Sequence, residues 1–172
     1  MIHWRCYRLT MRIRVITAIP EVDSSDIESL LREVYVDGGF TESGVADSMF
    51  VATAVFSRGR VLIARDLETK KLAGMVIVVP ATSNARRFAS DGEVEMHLLA
   101  VAPAFRRMGV GDLLVTSALE SARADSARRM ILWTQPSMMD AHRLYQRHRF
   151  ERVPGRDFEK GGRSFLVFER YL

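Results

Sequence analysis

Residues 95–115, EMHLLAVAPAFRRMGVGDLLV, decide the fold of this chain. An apolar alternation runs to Val101, a proline follows at position 103, and two arginines and two glycines precede a second aliphatic run. This order predicts a strand, a glycine-containing loop and a helix. A loop of this composition is either a turn with incidental charge or a backbone site for a phosphate group.

The strand is predicted over residues 93–101, EVEMHLLAV. Because side chains alternate between the two faces of a strand, this one has an apolar face and a polar face. The apolar face is predicted to hold Val94, Met96 and Leu98, and the polar face Glu93, Glu95 and His97. Two titratable groups suited to proton transfer, Glu95 and His97, are therefore expected to point the same way.

Three kinds of phosphate-binding loop use glycine, and only one of them matches residues 106–111. A P-loop needs a lysine and a hydroxyl after its last glycine, and this chain has neither there. A dinucleotide fingerprint needs a third glycine where this chain has Leu114, and an acidic residue about 20 positions on where it has RMILWTQ. The pattern RxxGxG matches in full. Its glycines let the backbone approach a ligand, and the N–H groups of the following helix then point at the phosphate.

The rest of the chain has no internal repeat and predicts further strands and helices. Strands are expected at 11–17, 60–66, 72–79, 129–135 and 163–171, the second and third forming a hairpin. Helices are expected to start at Asp23 or Ser24, to span 45–57, to run from Asp112 to Ala127, and to span 138–148. This order predicts an α/β (α+β) fold, a mixed sheet with helices on its faces.

The length of 172 residues suits a single domain, expected over 11–172, with residues 1–10 as an extension outside the fold. No apolar run approaches the ~18–20 residues that span a bilayer, and the basic N-terminal stretch lacks the apolar core of a signal peptide. A cytoplasmic protein without a membrane partner is therefore expected. Cys6 is the only cysteine and the four histidines lack ligand spacing, so no metal is expected.

The formal net charge is +4 and the sequence pI is about 9.6. Arginines crowd residues 106–107, 123–129 and 143–152, which indicates either a solvated arginine-rich surface or a site for an anionic ligand. A nucleic-acid partner is not expected, because the chain lacks the interleaved aromatic and basic residues on which bases stack.

The segment 95–115 resembles the acetyl-coenzyme A binding core of the GNAT superfamily of N-acetyltransferases, where a strand ending in LaV and a proline lead into [QR]xxGxG and a helix. Residues 131–150, ILWTQPSMMDAHRLYQRHRF, resemble the next strand of that family and its A..LY...GF helix. The two blocks stand in the family's order and spacing. The resemblance implies a mostly antiparallel central sheet of about seven strands with helices on both faces, and acetyl-coenzyme A as co-substrate.

The resemblance also implies which residues hold acetyl-coenzyme A. Backbone groups at the end of the strand would bind the pantetheine arm, where the family splays the sheet through a bulge, and main-chain amides of the loop would bind the pyrophosphate. The residues so implied are Leu99, Ala100 and Val101 for the arm, and Arg106, Arg107, Met108, Gly109, Val110, Gly111 and Asp112 for the pyrophosphate. The Arg107 side chain either reaches the phosphates or is solvated.

The implied reaction is direct attack of a primary amine, on a small molecule or a peptide, on the thioester. Glu95 is the first candidate for the base, and His97, whose unperturbed pKa suits the task better, is the second. Both could instead be polar groups paired with neighbours. The family's counterpart of Tyr145 points its hydroxyl at the cofactor sulfur, whereas the apolar stripe Ala141, Leu144 and Tyr145 predicts a core tyrosine.

Two positions depart from the family pattern: Met138 stands where an asparagine is often found, and Arg149 where a glycine usually ends the helix. The acceptor walls are expected in residues 35–50 and 153–158, whose aromatic side chains either line the site or belong to the core. These are Tyr35, Phe40, Phe50 and Phe158. A coenzyme A sensor without turnover is the alternative function, and a homodimer is left open.

Overall fold

The computed structural model describes residues 12–172, so the predicted extension at 1–10 lies outside the described residues. The strands in this range are β1 (Ile13–Thr17), β2 (Arg60–Asp66), β3 (Leu72–Pro80), β4 (Glu93–Val101), β5 (Arg129–Thr134), β6 (Glu151–Arg152), β7 (Phe158–Lys160) and β8 (Arg163–Tyr171). The α-helices are α1 (Pro20–Leu31), α2 (Ser43–Met49), α3 (Ala52–Phe56), α4 (Val110–Ala124) and α5 (Met139–Arg147). A π-helical turn, Arg32–Val36, extends α1.

The strands form one mixed sheet in the order β1-β2-β3-β4-β5-β8-β6, and β7 pairs with β8. Within the described range β4 and β5 are the parallel pair, and every other pair is antiparallel. The predicted mixed, mostly antiparallel sheet is confirmed. It has eight strands where about seven were expected, because the short strands β6 and β7 were not separated from loops in the sequence.

Helices cover both faces of the sheet, as expected. On one face, here called the α4 face, α4 and α5 pack on strand residues that include Val76, Val94 and Met96. On the other, the α1 face, α1, α2 and α3 pack on residues that include Met75 and Ile77. Burial of these apolar side chains on both faces is what holds the helices against the sheet.

A bulge in β4 corrects the predicted alternation of its side chains. The pairing of β3 with β4 slips between Met75 and Ile77, and Leu98 has a φ of +48°. The extra residue turns Leu98 to the α1 face, where it packs with that cluster, and sends Leu99 to the α4 face. The prediction that Leu98 shares a face with Val94 and Met96 was therefore wrong, because a bulge reverses alternation for all later residues.

Strands β4 and β5 separate before the bulge, from Met96 onward. They pair only from Glu93 opposite Arg129 to Glu95 opposite Ile131, although both strands run on, β5 still paired with β8. The edge of β4 from Met96 to Val101 thus faces no strand of the described chain, and a cleft opens between β4 and β5. Such an edge leaves backbone N–H and C=O groups free to pair with an extended ligand.

Several predicted helix boundaries were wrong. Helix α1 starts at Pro20 rather than at Asp23 or Ser24, because proline is favoured at the first helical position, and Asp23 instead accepts the N–H of Ile19 at 2.7 Å. The predicted helix at 45–57 is two helices, α2 and α3, interrupted at Phe50 and Val51. Within residues 12–172, no helix has the length and apolar character needed to cross a membrane.

Candidate active site

The loop between β4 and α4, here called the glycine loop (residues 106–112), needs its two glycines for different reasons. Gly109 is the N-cap of α4 and has a φ of +82°, the left-handed region in which other residues are strained. Gly111 lies in the first turn of α4, where a Cβ atom would stand 3.1 Å from Cδ2 of Leu144 on α5. The first glycine shapes the loop, and the second lets α5 approach it.

The backbone of the glycine loop is free to bind an anion. The N–H groups from Arg107 to Asp112 have no hydrogen-bond acceptor within residues 12–172, and they open a helix of 15 residues. The positive end of a helix dipole favours negative charge at this point. Met108 and Val110 pack on the core of the α4 face and so fix the position of the loop. The segment fits a phosphate-bearing ligand.

The side chains of the glycine loop are used differently from its backbone. Arg107 is 85% exposed, with its nearest carboxylate, Asp140, at 3.9 Å, and Arg106 donates weakly to the carbonyl of Val101 at 3.4 Å. Asp112 binds Arg147 and His148 at the end of α5, at 3.0 and 3.1 Å. The Asp112 carboxylate thus ties α4 to α5, and its backbone N–H is the part available to a ligand.

The bulge of β4 is held from the α1 face by Tyr35, which lies in the π-helical turn. The Tyr35 hydroxyl donates to the backbone carbonyl of Leu99 at 2.9 Å, and its ring packs on Phe50 at 5.5 Å. Burial raises the pKa of Tyr35 far above its ordinary value, so the hydroxyl stays protonated and keeps donating. Tyr35 is thus both a core aromatic and a contact at the cleft, whereas Phe50 is 1% exposed and belongs to the core.

Glu95 and His97 form a hydrogen-bonded pair where β4 leaves β5. The Glu95 carboxylate is completely buried and accepts the backbone N–H groups of Arg87, Phe88 and Ala89 at 2.8, 2.5 and 2.7 Å. Its second oxygen lies 2.8 Å from Nε2 of His97. The loop between β3 and β4, which sequence patterns left without structure, wraps this carboxylate in backbone donors.

These contacts set the protonation states of the pair. Burial alone would raise the pKa of Glu95, but the hydrogen bonds from His97 and from the three backbone N–H groups outweigh it and hold this pKa below its ordinary value. Burial lowers the pKa of His97 below its ordinary value, although Glu95 acts in the opposite direction. Near neutral pH the pair is therefore a carboxylate and a neutral imidazole, with the imidazole proton on Nε2 and directed at Glu95.

The other imidazole nitrogen, Nδ1 of His97, has a free lone pair. It makes no hydrogen bond within residues 12–172, so in this range Nε2 is the imidazole nitrogen that has a partner. The imidazole ring lies edge-on to Trp133 of β5, with ring centroids 4.5 Å apart. His97 and Trp133 therefore stand opposite each other at the mouth of the cleft.

Tyr145 approaches the cleft from the α4 face. Its ring is buried against Phe150 and Phe168, at centroid distances of 5.9 and 6.1 Å, as the apolar stripe of α5 predicted. Its hydroxyl makes no hydrogen bond within residues 12–172. Burial also raises the pKa of Tyr145, which keeps it protonated.

A family profile described as the acetyltransferase (GNAT) family matches residues 26–150. The chain belongs to the GNAT family. It is therefore an acyltransferase of the acetyltransferase type, and the resemblance of its two sequence blocks is confirmed. No curated protein matches the chain in sequence.

Solved GNAT structures share the fold at low sequence identity. An acetyltransferase from Staphylococcus aureus Mu50 is 12% identical, with a TM-score of 0.74 over 93% of this chain and 99% of that one. One from Streptococcus agalactiae is 14% identical, with a TM-score of 0.73 over 94% and 99%. An acetyltransferase from Bacillus subtilis, solved in complex with coenzyme A, is 18% identical, with a TM-score of 0.67 over 93% and 99%.

The two departures from the GNAT sequence pattern have structural answers. Arg149 adopts the left-handed conformation itself, with a φ of +58°, and the N–H of Phe150 closes the end of α5 on the carbonyl of Tyr145 at 3.0 Å. Met138 is the N-cap of α5 and makes no side-chain capping bond, while its sulfur accepts the Thr134 hydroxyl at 3.3 Å. Within residues 12–172, no group of three or more histidine, cysteine, aspartate or glutamate side chains is arranged to hold a metal.

Beside His97, this GNAT chain carries an aromatic cluster, defined as Phe88, Trp133, Phe158 and Phe165. The first three rings lie 5.7–6.0 Å apart, and Phe158 stacks on Phe165 at 5.0 Å across the β7–β8 hairpin. Of the predicted wall aromatics, only Phe158 belongs to this cluster. Phe88, Trp133 and neighbouring Arg87 were missed, because they come from separate elements and no local pattern marks them.

Proposed function

We propose that this GNAT protein is an N-acetyltransferase that transfers the acetyl group of acetyl-coenzyme A to a primary amine, with His97 as the base. The observation that carries the proposal is the Glu95–His97 pair beside Trp133, in which Nδ1 of the imidazole has no hydrogen-bond partner within residues 12–172. A neutral amine is the nucleophile, and a positioned base must take its proton as the new bond forms.

His97 suits this role better than Glu95 does. Every donor around the Glu95 carboxylate is already bound to it, and its lowered pKa makes it a poor proton acceptor near neutral pH. The Nδ1 lone pair of neutral His97, by contrast, has no hydrogen-bond partner within residues 12–172. Glu95 then acts as a positioning residue, because its carboxylate holds the imidazole in the tautomer that leaves Nδ1 free.

The cofactor sites follow from the free backbone groups. The family uses acetyl-coenzyme A, which supplies an acetyl group activated as a thioester. The N–H groups from Arg107 to Asp112 would hold the pyrophosphate, and the open edge of β4 from Leu99 to Val101 would hold the pantetheine arm. The Leu99 carbonyl accepts the Tyr35 hydroxyl, which holds this side of the bulge in position.

Two protons move in the proposed reaction. The Nδ1 atom of His97 receives the proton that the amine loses, and the Tyr145 hydroxyl provides a proton for the departing sulfur. The raised pKa of Tyr145 supports this assignment, since the phenol is fully protonated near pH 7. These two groups approach the cleft from opposite faces of the sheet, His97 with the α1 face and Tyr145 with the α4 face.

The test is thiol release from acetyl-coenzyme A in the presence of a panel of primary amines, with the acetylated product identified by mass spectrometry. We expect amine-dependent thiol release that rises on the alkaline side of an ionisation assigned to His97. Calorimetric binding of coenzyme A without acetylation of any amine would contradict the proposal and favour a sensor.

A further inference from the structure

We infer that the acceptor amine carries a carboxylate, which the guanidinium of Arg87 binds; this inference rests on the proposed function. Arg87 lies in the loop that wraps Glu95, beside the aromatic cluster. The acceptor class that fits this arrangement is a free amino acid with an apolar side chain.

The Arg87 guanidinium stacks on an aromatic ring and has no carboxylate partner within residues 12–172. Its central carbon lies 3.6 Å from the centroid of the Phe158 ring and 5.4 Å from that of Phe88. No carboxylate within residues 12–172 lies within 4.0 Å of it. Stacking uses the face of a guanidinium and leaves its N–H groups free at the edge, where a carboxylate can accept two of them.

Three carboxylates near the aromatic cluster, those of Asp157, Glu169 and Glu95, are already bound by neighbouring groups. Asp157 binds Arg152 at 2.8 Å and the N–H of Val167 at 2.9 Å, and Glu169 binds Arg129 at 3.1 Å. Glu95 is buried with all its contacts satisfied.

Two further arginines carry charge in this part of the molecule. Arg156 lies 5.5 Å from the Phe88 ring and pairs with Glu169 at 3.5 Å, whereas Arg58 binds the carbonyls of Met49 and Ala54. No carboxylate within residues 12–172 pairs with Arg58. A polyamine would be repelled here, whereas an acceptor with a negative group beside its amine is complementary.

The same residue connects the carboxylate site to the base. The backbone N–H of Arg87 binds the Glu95 carboxylate, which in turn binds His97, so the guanidinium lies within one side-chain length of the pair. A free amino acid carries an amine and a carboxylate a few ångströms apart, so one small molecule can place its amine at His97 and its carboxylate at Arg87. The rings of Phe88, Trp133 and Phe158 offer an apolar surface to the side chain of the acceptor.

The experiment compares matched acceptors. Phenylalanine, leucine and methionine are each assayed beside the corresponding amide and the decarboxylated amine, and kcat/KM is measured by thiol release. We expect the wild type to prefer each acid to its amide by at least tenfold, because a site built for a carboxylate leaves its donors unpaired with the analogue. Arg87→Gln should lower kcat/KM for the acids at least tenfold and change it little for the amides, so the preference is lost. Arg87→Lys should restore part of it.

The matched control is Arg86→Gln, which removes the charge of the neighbouring exposed arginine and should leave the preference intact. Amides or decarboxylated amines accepted as well as the acids would overturn the inference, as would an equal loss on acids and amides in Arg87→Gln. If no amine is acetylated at all, the proposed function fails, and calorimetric titration of phenylalanine into the coenzyme A-bound protein decides the inference separately. Binding that Arg87→Gln weakens at least tenfold would support it, and no binding, or binding equal to that of the amide, would overturn it.

Discussion

The glycine loop and the Glu95–His97 pair are two parts of one candidate site with opposite hydrogen-bonding states. In the glycine loop, the N–H groups from Arg107 to Asp112 have no acceptor within residues 12–172. At Glu95, three N–H groups and an imidazole converge on one buried carboxylate. The loop is built to receive a ligand through its backbone, whereas in the pair Nδ1 of His97 is the one side-chain atom without a hydrogen-bond partner within residues 12–172.

The glycine loop and the Glu95–His97 pair therefore depend on different kinds of contact. An anion site made of free amides depends on local backbone conformation, and substitutions there should act on binding. A base made of a buried pair depends on contacts between distant segments, and substitutions there should act on turnover and its pH dependence. The predictions below test this division.

The largest effect is expected at His97. His97→Ala removes the proposed base and should lower kcat by roughly 10²–10⁴-fold, the usual range for general acid–base catalysis, with coenzyme A affinity unchanged. Steady-state kinetics and calorimetry measure the two quantities. His142→Ala, which removes a half-buried histidine of α5 outside the pair, is the control and should retain activity. A loss of coenzyme A affinity in His97→Ala would break the division between turnover and binding.

Tyr145→Phe keeps the ring and its packing on Phe150 and Phe168 while removing the hydroxyl. Because the hydroxyl has no protein partner within residues 12–172, the variant should melt near the wild-type temperature and bind coenzyme A normally. Its kcat should fall at least tenfold through loss of general acid help. Unchanged turnover would leave Tyr145 as a core residue and assign the proton to water.

Gly109→Val should weaken coenzyme A binding while leaving the sheet intact. A β-branched residue at a φ of +82° costs about 1–3 kcal/mol, and relief of this strain would distort the free amides. We expect a rise in Kd of about tenfold, measured by calorimetry. Gly44→Ala is the control, because that glycine lies in α2 with open space around it. An unchanged Kd in Gly109→Val would contradict the phosphate assignment.

Glu95→Gln should have the smallest effect on rate but a distinctive pH signature. Glu95 raises the pKa of His97, so its neutralisation should lower that pKa further and move the acid limb of the kcat/KM profile to lower pH. An unchanged acid limb would show that Glu95 does not influence the pKa of His97.

The same variant should also change how stability depends on pH. The pKa of folded Glu95 lies below its unfolded value, so the carboxylate stabilises the fold above about pH 4.3 and loses this contribution as pH falls through the folded pKa. The stability difference between wild type and Glu95→Gln should therefore shrink in acid, as measured by chemical denaturation. A difference that is constant with pH would mean that the carboxylate is not held as described.

Much of the fold could be predicted because periodicity and turn residues are local signals. The strands at 60–66 and 93–101 were predicted with their observed bounds. Errors arose where tertiary contacts override the local pattern. Leu98 faces the α1 side because of the bulge, and the segment 45–57 is broken where Phe50 inserts into the core. The helix start at Pro20 is signalled by the proline itself, which the prediction from capping residues did not take into account.

The candidate site divides in the same way. Glu95 and His97 were identified from alternation on one strand, but their hydrogen bond and protonation states depend on the loop at residues 87–89. Arg87, Phe88 and Trp133 come from two separate segments, and no spacing rule joins them. Tyr35 reaches Leu99 only because a π-helical turn follows α1.

The sequence by itself determined the glycine loop and the family, because a strand, a left-handed glycine and a helix start are specified by adjacent residues whose backbone dihedrals have few alternatives. Only the tertiary structure decided which charges are free. The Glu95 carboxylate accepts hydrogen bonds from another loop, and the Asp112 carboxylate pairs with the end of α5. Arg87, in contrast, stacks on an aromatic ring and has no carboxylate partner within residues 12–172. Pairing of charges depends on which distant segments the packing of the sheet and its helices brings within a few ångströms, and a linear pattern does not encode that distance.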